Sequence, residues 1–199
     1  MSASLVGSEM CIRDRCYEAG ITVTSLPGAC ACITALTMSG QPTRRFAFEA
    51  FLPYDKKERA QILENLRNET RTIIIYEAPH HLKKTLKECR EYLGNRNMTV
   101  CKELTKRYEQ KRKSTLDEMI AYYEENEPRG EYVLIFEGKS LQELKEEKQQ
   151  EWNQLTVQEH MEHYLEKGMD KKSAMKQVAK DRGVGKRDVY RELVDRDKA

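Results

Sequence analysis

Thr72-Ile73-Ile74-Ile75-Tyr76-Glu77-Ala78-Pro79-His80 decides how this chain reads. An apolar, β-branched run stops at a proline and gives way to Leu82, Leu86, Cys89 and Leu93, which recur at helical spacing before Gly94. Residues 71–76 therefore read as a buried strand. Pro79 fits the first turn of the helix that follows, where a missing N–H costs nothing. A second junction of the same kind runs from Ile21-Thr22-Val23-Thr24 into Ser25-Leu26-Pro27-Gly28-Ala29-Cys30-Ala31-Cys32. Residues 21–26 are expected as a strand, and 29–39 as a small-residue helix stopped by Gly40. In open α/β sheets ligands bind at such strand ends, where the next helix offers free N–H groups. Pro-Gly forces a turn, and small residues after it let a ligand approach the backbone. Two ordinary strand-to-helix turns would share this local pattern.

Outward from these junctions the alternation continues. Residues 45–51 read as a strand, and Asp55 is placed to cap a helix over 56–67 with Ile62, Leu63 and Leu66 on its apolar stripe. Residues 98–104 read as a strand and 109–114 as an edge strand. Thr115-Leu116-Asp117-Glu118 is a capping box that opens a helix with Met119, Ile120 and Tyr123 on one face. Arg129-Gly130 turns into a strand over 132–136. The expected fold is an α/β domain with a mixed sheet over residues 16–138.

After Gly138 the composition turns charged and nearly core-free. Ser140-Leu141-Gln142-Glu143 can start a short helix, and residues 139–155 read as a charged helical linker. Residues 156–199 read as three short helices. Thr156-Val157-Gln158-Glu159 is a capping box. The stripes are Val157, Met161, Tyr164 and Leu165, then Ala174, Met175, Val178 and Ala179, then Val189, Tyr190 and Leu193, with Gly168 and Gly183 at the turns. This pattern resembles a helix-turn-helix module. About 40 residues are marginal for independent stability. His160 and His163, spaced i and i+3, lack further ligands at convincing spacing and read as surface residues, so no metal site is expected.

The chain has 199 residues, 39% hydrophobic and 34% charged, enough for one ordinary domain and a small one. No apolar run approaches the ~18 residues of a membrane span. The six cysteines do not form paired C-x-x-C ligands, which argues against zinc and for reduced thiols in a cytoplasmic protein. Cys30 and Cys32 are expected to point to different faces. The net charge of +2 hides basic stretches, one from Lys102 to Lys113 and one from Lys167 onward. Such clusters meet phosphate backbones or are solvated surface.

Six segments in order carry a more specific signal. They are Leu26-Pro27-Gly28-Ala29, Ser39-Gly40-Gln41-Pro42-Thr43, Phe46 to Pro53, Tyr76-Glu77-Ala78-Pro79-His80, Glu103-Leu104-Thr105-Lys106 and Gly130-Glu131-Tyr132-Val133. From about Cys16 onward the chain resembles the C-terminal part of the bacterial 16S rRNA (cytidine-2′-O)-methyltransferase family, within the tetrapyrrole methylase superfamily. That family's N-terminal domain carries Gly-Asn-Leu, Asp-Thr-Arg and Gly-Thr-Pro…Asp-Pro-Gly motifs, none of which occurs here. His81 stands where the family usually has Arg, and Gln41 where it usually has an apolar residue. Residues 1–15 fit no part of the family and resemble translated adapter read-through. A genuine disordered N-terminus is the alternative.

The resemblance implies S-adenosyl-L-methionine as cofactor, bordered by Pro27, Gly28, Ala29, Ala31, Tyr76, Glu77, Thr105 and Gly130. It implies 16S rRNA in the small ribosomal subunit as partner, and it leaves a homodimer open, since the superfamily is commonly dimeric. Lys106 and Arg107, and in the tail Lys186, Arg187 and Arg191, are the candidate RNA contacts. Methylation of a ribose 2′-hydroxyl needs a base. Glu77, His80 and Glu103 are candidates, and none is singled out as catalytic. The chain alone is expected to be inactive, because the cofactor normally lies between two domains. Rival readings are a tetrapyrrole methyltransferase, against which Glu103-Leu104-Thr105-Lys106 and the basic tail argue, and a non-catalytic nucleic-acid-binding protein.

Overall fold

The computed structural model describes residues 12–196, which divide after Gly138 into two compact units. The expected leader lies largely outside the described residues, and residues 12–18 are helical.

In the first unit five strands form one sheet: β1 (Phe46–Phe51), β2 (Thr72–Glu77), β3 (Asn97–Lys102), β4 (Gln110–Thr115) and β5 (Tyr132–Phe136). Their order is β1-β2-β5-β3-β4. Only β1 and β2 run parallel, so the sheet is mixed. Helices α1 (Ala31–Ser39), α2 (Lys56–Leu66), α3 (Pro79–Leu93) and α4 (Leu116–Glu125) cover its faces. Residues on alternating sides of β2 serve two cores. Ile73 and Ile75 pack with Leu82, Leu86, Leu134 and Phe136, whereas Ile74 packs with Cys32, Ala35, Leu36 and Ile135. Burial on both faces is why β2 is a continuous apolar run.

Local chemistry sets the element ends. The Asp55 carboxylate accepts from the N–H groups of Lys57 and Glu58, and Thr115 with Glu118 makes the expected reciprocal cap. β3 stops at Lys102, short of the expected Leu104, because Glu103 takes a left-handed conformation with φ of 51°. β1 carries a bulge. Phe48 opposes Ile74 and Phe51 opposes Tyr76, with Ala50 at φ of 52° in the extra position. The extra residue brings both phenylalanines to the Tyr76 ring, at centroid distances of 4.9 and 5.6 Å. β4 is exposed and cationic, a composition that blunts an open sheet edge. Two of its cations are used in the fold. Lys111 Nζ donates to the Met38 carbonyl at 3.1 Å, and the Arg112 guanidinium lies 3.8 Å above the Tyr122 ring.

One expected strand is absent. Residues 21–30 have no regular secondary structure, and Ile21 and Leu26 are 58% and 89% exposed. β propensity reports how well a side chain fits a half-buried pleated surface. Residues 21–26 pair with neither sheet edge, so their β-branched side chains have no such surface to meet.

The second unit holds α5 (Leu141–Gln154), α6 (Val157–Glu166), α7 (Lys171–Arg182) and α8 (Lys186–Arg196). Val157, Met161, Ala174, Val178, Ala179 and Val189 form its core, with Tyr164, Met175 and Leu193 packed against it. The segment expected as a linker is mostly α5, which packs into this unit. Trp152 stacks on His160 at 3.9 Å with an interplanar angle of 4°, and Gln149 Nε2 donates to the Arg182 carbonyl at 2.5 Å. His160, expected at the surface, is 0% exposed. Arg182 Nε donates to its Nδ1 at 3.2 Å. Tyr190, expected in the apolar stripe, is 58% exposed. The stripe turns out narrower, because Val189 and Leu193 already fill the contact with the other helices.

Candidate cofactor and RNA sites

The sheet register brings several of the candidate segments to one end of the central strands. Tyr132 at the start of β5 opposes Glu77 at the end of β2 and Lys102 at the end of β3. Tyr76-Glu77, Glu103 to Thr105 and Gly130 therefore converge there. The small-residue loop joins them through a single hydrogen bond. The Cys32 N–H, in the first turn of α1, donates to the Tyr76 hydroxyl at 2.9 Å. Burial, then the Cys32 thiol, pushes the Tyr76 hydroxyl up to about 12, so it stays protonated.

Pro27, Gly28, Ala29 and Ala31 are exposed. A Cβ built on Gly28 meets nothing within 4 Å, and the residue does not have positive φ. Nothing among the described residues demands glycine at position 28, and the space beside it is open. Gly130 is the opposite case. Its φ is 82°, and a Cβ would lie 2.6 Å from Cγ, Cδ and Oε1 of Glu103. That glycine is required by the protein itself.

Around Gly130 the loops after β3 and before β5 clamp each other. The Glu103 N–H donates to the Glu131 carbonyl at 2.9 Å, and the Glu131 N–H donates to Glu103 Oε1 at 2.8 Å. Lys106 Nζ donates to Glu103 Oε1 at 3.1 Å and to Glu131 Oε2 at 2.9 Å. The Glu131 N–H, then Lys106, holds the Glu103 carboxyl below the usual carboxylate range. The two carboxylates in turn push the Lys106 ammonium up. Lys106 thus ties two loops together, where the sequence suggested a phosphate contact. Thr105, at φ of 62°, donates its N–H to Glu109 Oε2 at 2.7 Å. Among the described residues, Glu103 and Thr105 after β3 and Ala50 in the β1 bulge have positive φ without being glycine, and backbone strain of this kind gathers at functional sites. Arg107 is exposed, its guanidinium 5.5 Å from the Tyr108 ring.

Glu77 is only 5% exposed and is occupied. Its Oε1 accepts from the Ala78 N–H at 2.8 Å, its Oε2 accepts from the Thr85 hydroxyl, and Arg59 Nη2 lies 3.8 Å away. Arg59 also donates to Glu88 Oε2 at 2.5 Å and to Thr85 Oγ1 at 2.6 Å. This buried network pins the end of β2 to α2 and α3. Of the three candidate bases, Glu77 and Glu103 are thus engaged in structural bonds, and His80 is exposed with its ring 4.1 Å from that of His81. The network escaped the sequence reading, although its signal was present. Arg59 sits one turn before Leu63 on the stripe of α2, and Thr85 sits between Leu82 and Cys89 on that of α3.

In the second unit Lys186, Arg187 and Arg191 are exposed on α8 together with Tyr190, whereas Val189 is buried. An aromatic ring among basic residues suits a nucleic acid strand.

Several known proteins are similar to this chain. "Ribosomal RNA small subunit methyltransferase I" of Halalkalibacterium halodurans is 46% identical over 171 residues, covering 86% of this chain and 58% of that protein. The proteins of that name from Bacillus subtilis and Synechocystis are 46% and 39% identical, covering 87% and 88% of this chain and 59% and 61% of theirs. The chain thus spans about three fifths of the length of these relatives. Among solved structures, a cobalamin biosynthetic enzyme, cobalt precorrin-4 methyltransferase, aligns with a TM-score of 0.50 at 17% identity, covering 67% of this chain and 59% of that one. The methyltransferase CobJ aligns with a TM-score of 0.50 at 15% identity, covering 64% and 55%. At such identities the likeness concerns the fold. The family model of the Tetrapyrrole (Corrin/Porphyrin) Methylases matches residues 3–120, a span that begins inside the segment set apart above as foreign. With this match over more than half of its length, the chain belongs to the tetrapyrrole (corrin/porphyrin) methylase family.

Proposed function

We propose that this chain supplies the cofactor-closing domain and an RNA-facing module of an enzyme that methylates the 2′-hydroxyl of a cytidine in 16S rRNA, with S-adenosyl-L-methionine as methyl donor. The observation that carries this reading is the convergence of Tyr76-Glu77, Glu103 to Thr105, Gly130 and, through the Cys32–Tyr76 bond, the 27–31 loop at one end of the central strands. The relatives named as small-subunit rRNA methyltransferases support the substrate class.

The residues present fit such a donor. The open space at Gly28 admits a ligand to the backbone, and Pro27, Ala29 and Ala31 add no bulk. Tyr76 anchors that loop, while the Glu103–Lys106–Glu131 clamp holds Gly130 and Thr105 in place. The bound sulfonium would supply an electrophilic methyl group. The Arg59–Thr85–Glu77 network keeps the end of β2 rigid, so the loops it carries keep their geometry. Arg107, Lys186, Arg187 and Arg191 would meet phosphates, as in a cytoplasmic enzyme acting on the small ribosomal subunit. No helix among the described residues is long and apolar enough to cross a membrane.

Residues 16–199, joined to the N-terminal part of the Bacillus subtilis relative, should transfer a labelled methyl group to a cytidine 2′-oxygen of unmodified small subunits. The 199-residue chain alone should not. Label on a base, or turnover by the chain alone, overturns the respective part of the proposal.

A further inference from the structure

Cys30 and Cys32 lie where the loop enters α1. Cys30 is the residue before the helix, with φ of −130° and ψ of 113°, and Cys32 is in its first turn. The extended backbone at Cys30 swings its side chain out of the helical progression. The two thiols, which regular helical spacing would separate, therefore come to 3.3 Å, sulfur to sulfur. A disulfide needs about 2.04 Å, so closure requires a movement of about 1.3 Å in a segment that is exposed and free of regular structure on its N-terminal side. The other described cysteines differ. Cys16 is half-buried, and Cys89 and Cys101 are buried.

We propose that Cys30 and Cys32 form a peroxide-reactive thiol pair, with Cys30 as the attacking sulfur and Cys32 as the resolving one. The exposures of the two residues suit these roles, since Cys30 is open to solvent and Cys32 is buried behind it. Their acidities suit them as well. The Ile33 N–H at the helix start, then the Cys32 thiol, holds Cys30 below the ordinary thiol range, so more of it is thiolate at neutral pH. Burial, then Cys30, pushes Cys32 up to about 11, which keeps it protonated.

In the first step the Cys30 thiolate attacks one oxygen of hydrogen peroxide. An S–O bond forms, the O–O bond breaks, and hydroxide leaves. In the second step the Cys32 sulfur attacks the Cys30 sulfenic acid. The S–S bond forms, and the hydroxyl leaves as water with the Cys32 proton. The peroxide gains the two electrons that the thiols lose. The Cys32 N–H that holds the Tyr76 hydroxyl sits inside the ring so formed. Oxidation would therefore tighten the loop that Tyr76 anchors. The chemistry does not depend on what binds there.

The test uses the 199-residue chain at neutral pH, treated with hydrogen peroxide, quenched with iodoacetamide and cut with chymotrypsin. The fragment over residues 18–36 contains Cys30 and Cys32 and no other cysteine. It should lose two hydrogens and resist alkylation, and should accept two alkyl groups after reduction. In Cys32→Ser, Cys30 should instead be trapped by dimedone as the sulfenic acid. In Cys30→Ser, Cys32 should remain an unoxidised thiol. Because Cys32 packs in the core, the unsubstituted chain gives a separate check. Its Cys30 alkylation rate should reach half its plateau at a pH below that of a free thiol. Full alkylation of both cysteines after peroxide, a link from either to Cys16, or a Cys30 profile at the free-thiol position would overturn the proposal.

Discussion

Replacing Arg59 with Met should be the most damaging single change at the candidate site, although Arg59 would touch no ligand. Its guanidinium makes two short bonds, 2.5 Å to Glu88 and 2.6 Å to Thr85, and lies 3.8 Å from Glu77. A bond to a charged group contributes about 1.5–3 kcal/mol. Glu88 is partly exposed and can be hydrated again, but Glu77 is buried and would keep only the Thr85 hydroxyl and the Ala78 N–H. Removing one partner from a buried ionic cluster costs about 3–5 kcal/mol. At about 3 °C per kcal/mol for a unit of this size, the melting temperature should fall by about 10–15 °C. The double variant Arg59→Met/Glu77→Gln should recover at least about 1.5 kcal/mol, because the stranded charge is gone. Urea titrations of the wild-type chain and both variants at pH 7 measure the two free energies. A loss below about 1 kcal/mol, or a double variant no better than the single one, would refute the reasoning.

Gly130→Ala should lower the melting temperature, since a side chain at positive φ alone costs about 1 kcal/mol and the new Cβ meets Glu103. Gly28→Val should leave the melt within about 0.5 kcal/mol, yet weaken S-adenosylhomocysteine binding by the joined full-length protein about tenfold in calorimetric titration. The reverse ranking would make position 28 a packing residue. Trp152 is the single tryptophan and stacks on His160, whose imidazole is held below its ordinary pKa first by burial and next by Arg182, against Asp181. Its emission should titrate with a midpoint below pH 6.5, and the second unit should keep its full stability above that pH and lose it in more acid solution. A midpoint at or above 6.5 contradicts this. Replacing Lys186, Arg187 and Arg191 together with Ala should weaken RNA binding at every sequence tested and flatten the dependence of affinity on salt, by up to about 0.9 in the logarithmic slope per lost phosphate contact. The melting temperature should hardly move. Overlaid salt series for the two proteins would leave the basic face as solvated surface.

Features that depend on neighbours in the chain were determined by the sequence itself. The strand before Pro79, the helix after it, and the capping boxes at Thr115, Ser140 and Thr156 all stand within a residue or two of their expected places. A cap or a helical stripe is made by residues three or four apart, so its signal survives in one dimension. Tertiary structure alone decided whatever needed a distant partner. Residues 21–26 have strand chemistry but no strand to pair with. α5 looks like a charged linker until Trp152 finds His160 and Gln149 finds Arg182. Glu77 and Lys106 look like free site residues until Arg59, Thr85, Glu103 and Glu131 occupy them. The thiols of Cys30 and Cys32 meet because one backbone torsion pair at the helix start departs from the helical one. The chain's pattern specifies which groups are available, and only the packing of remote segments sets which of them remain available to a ligand.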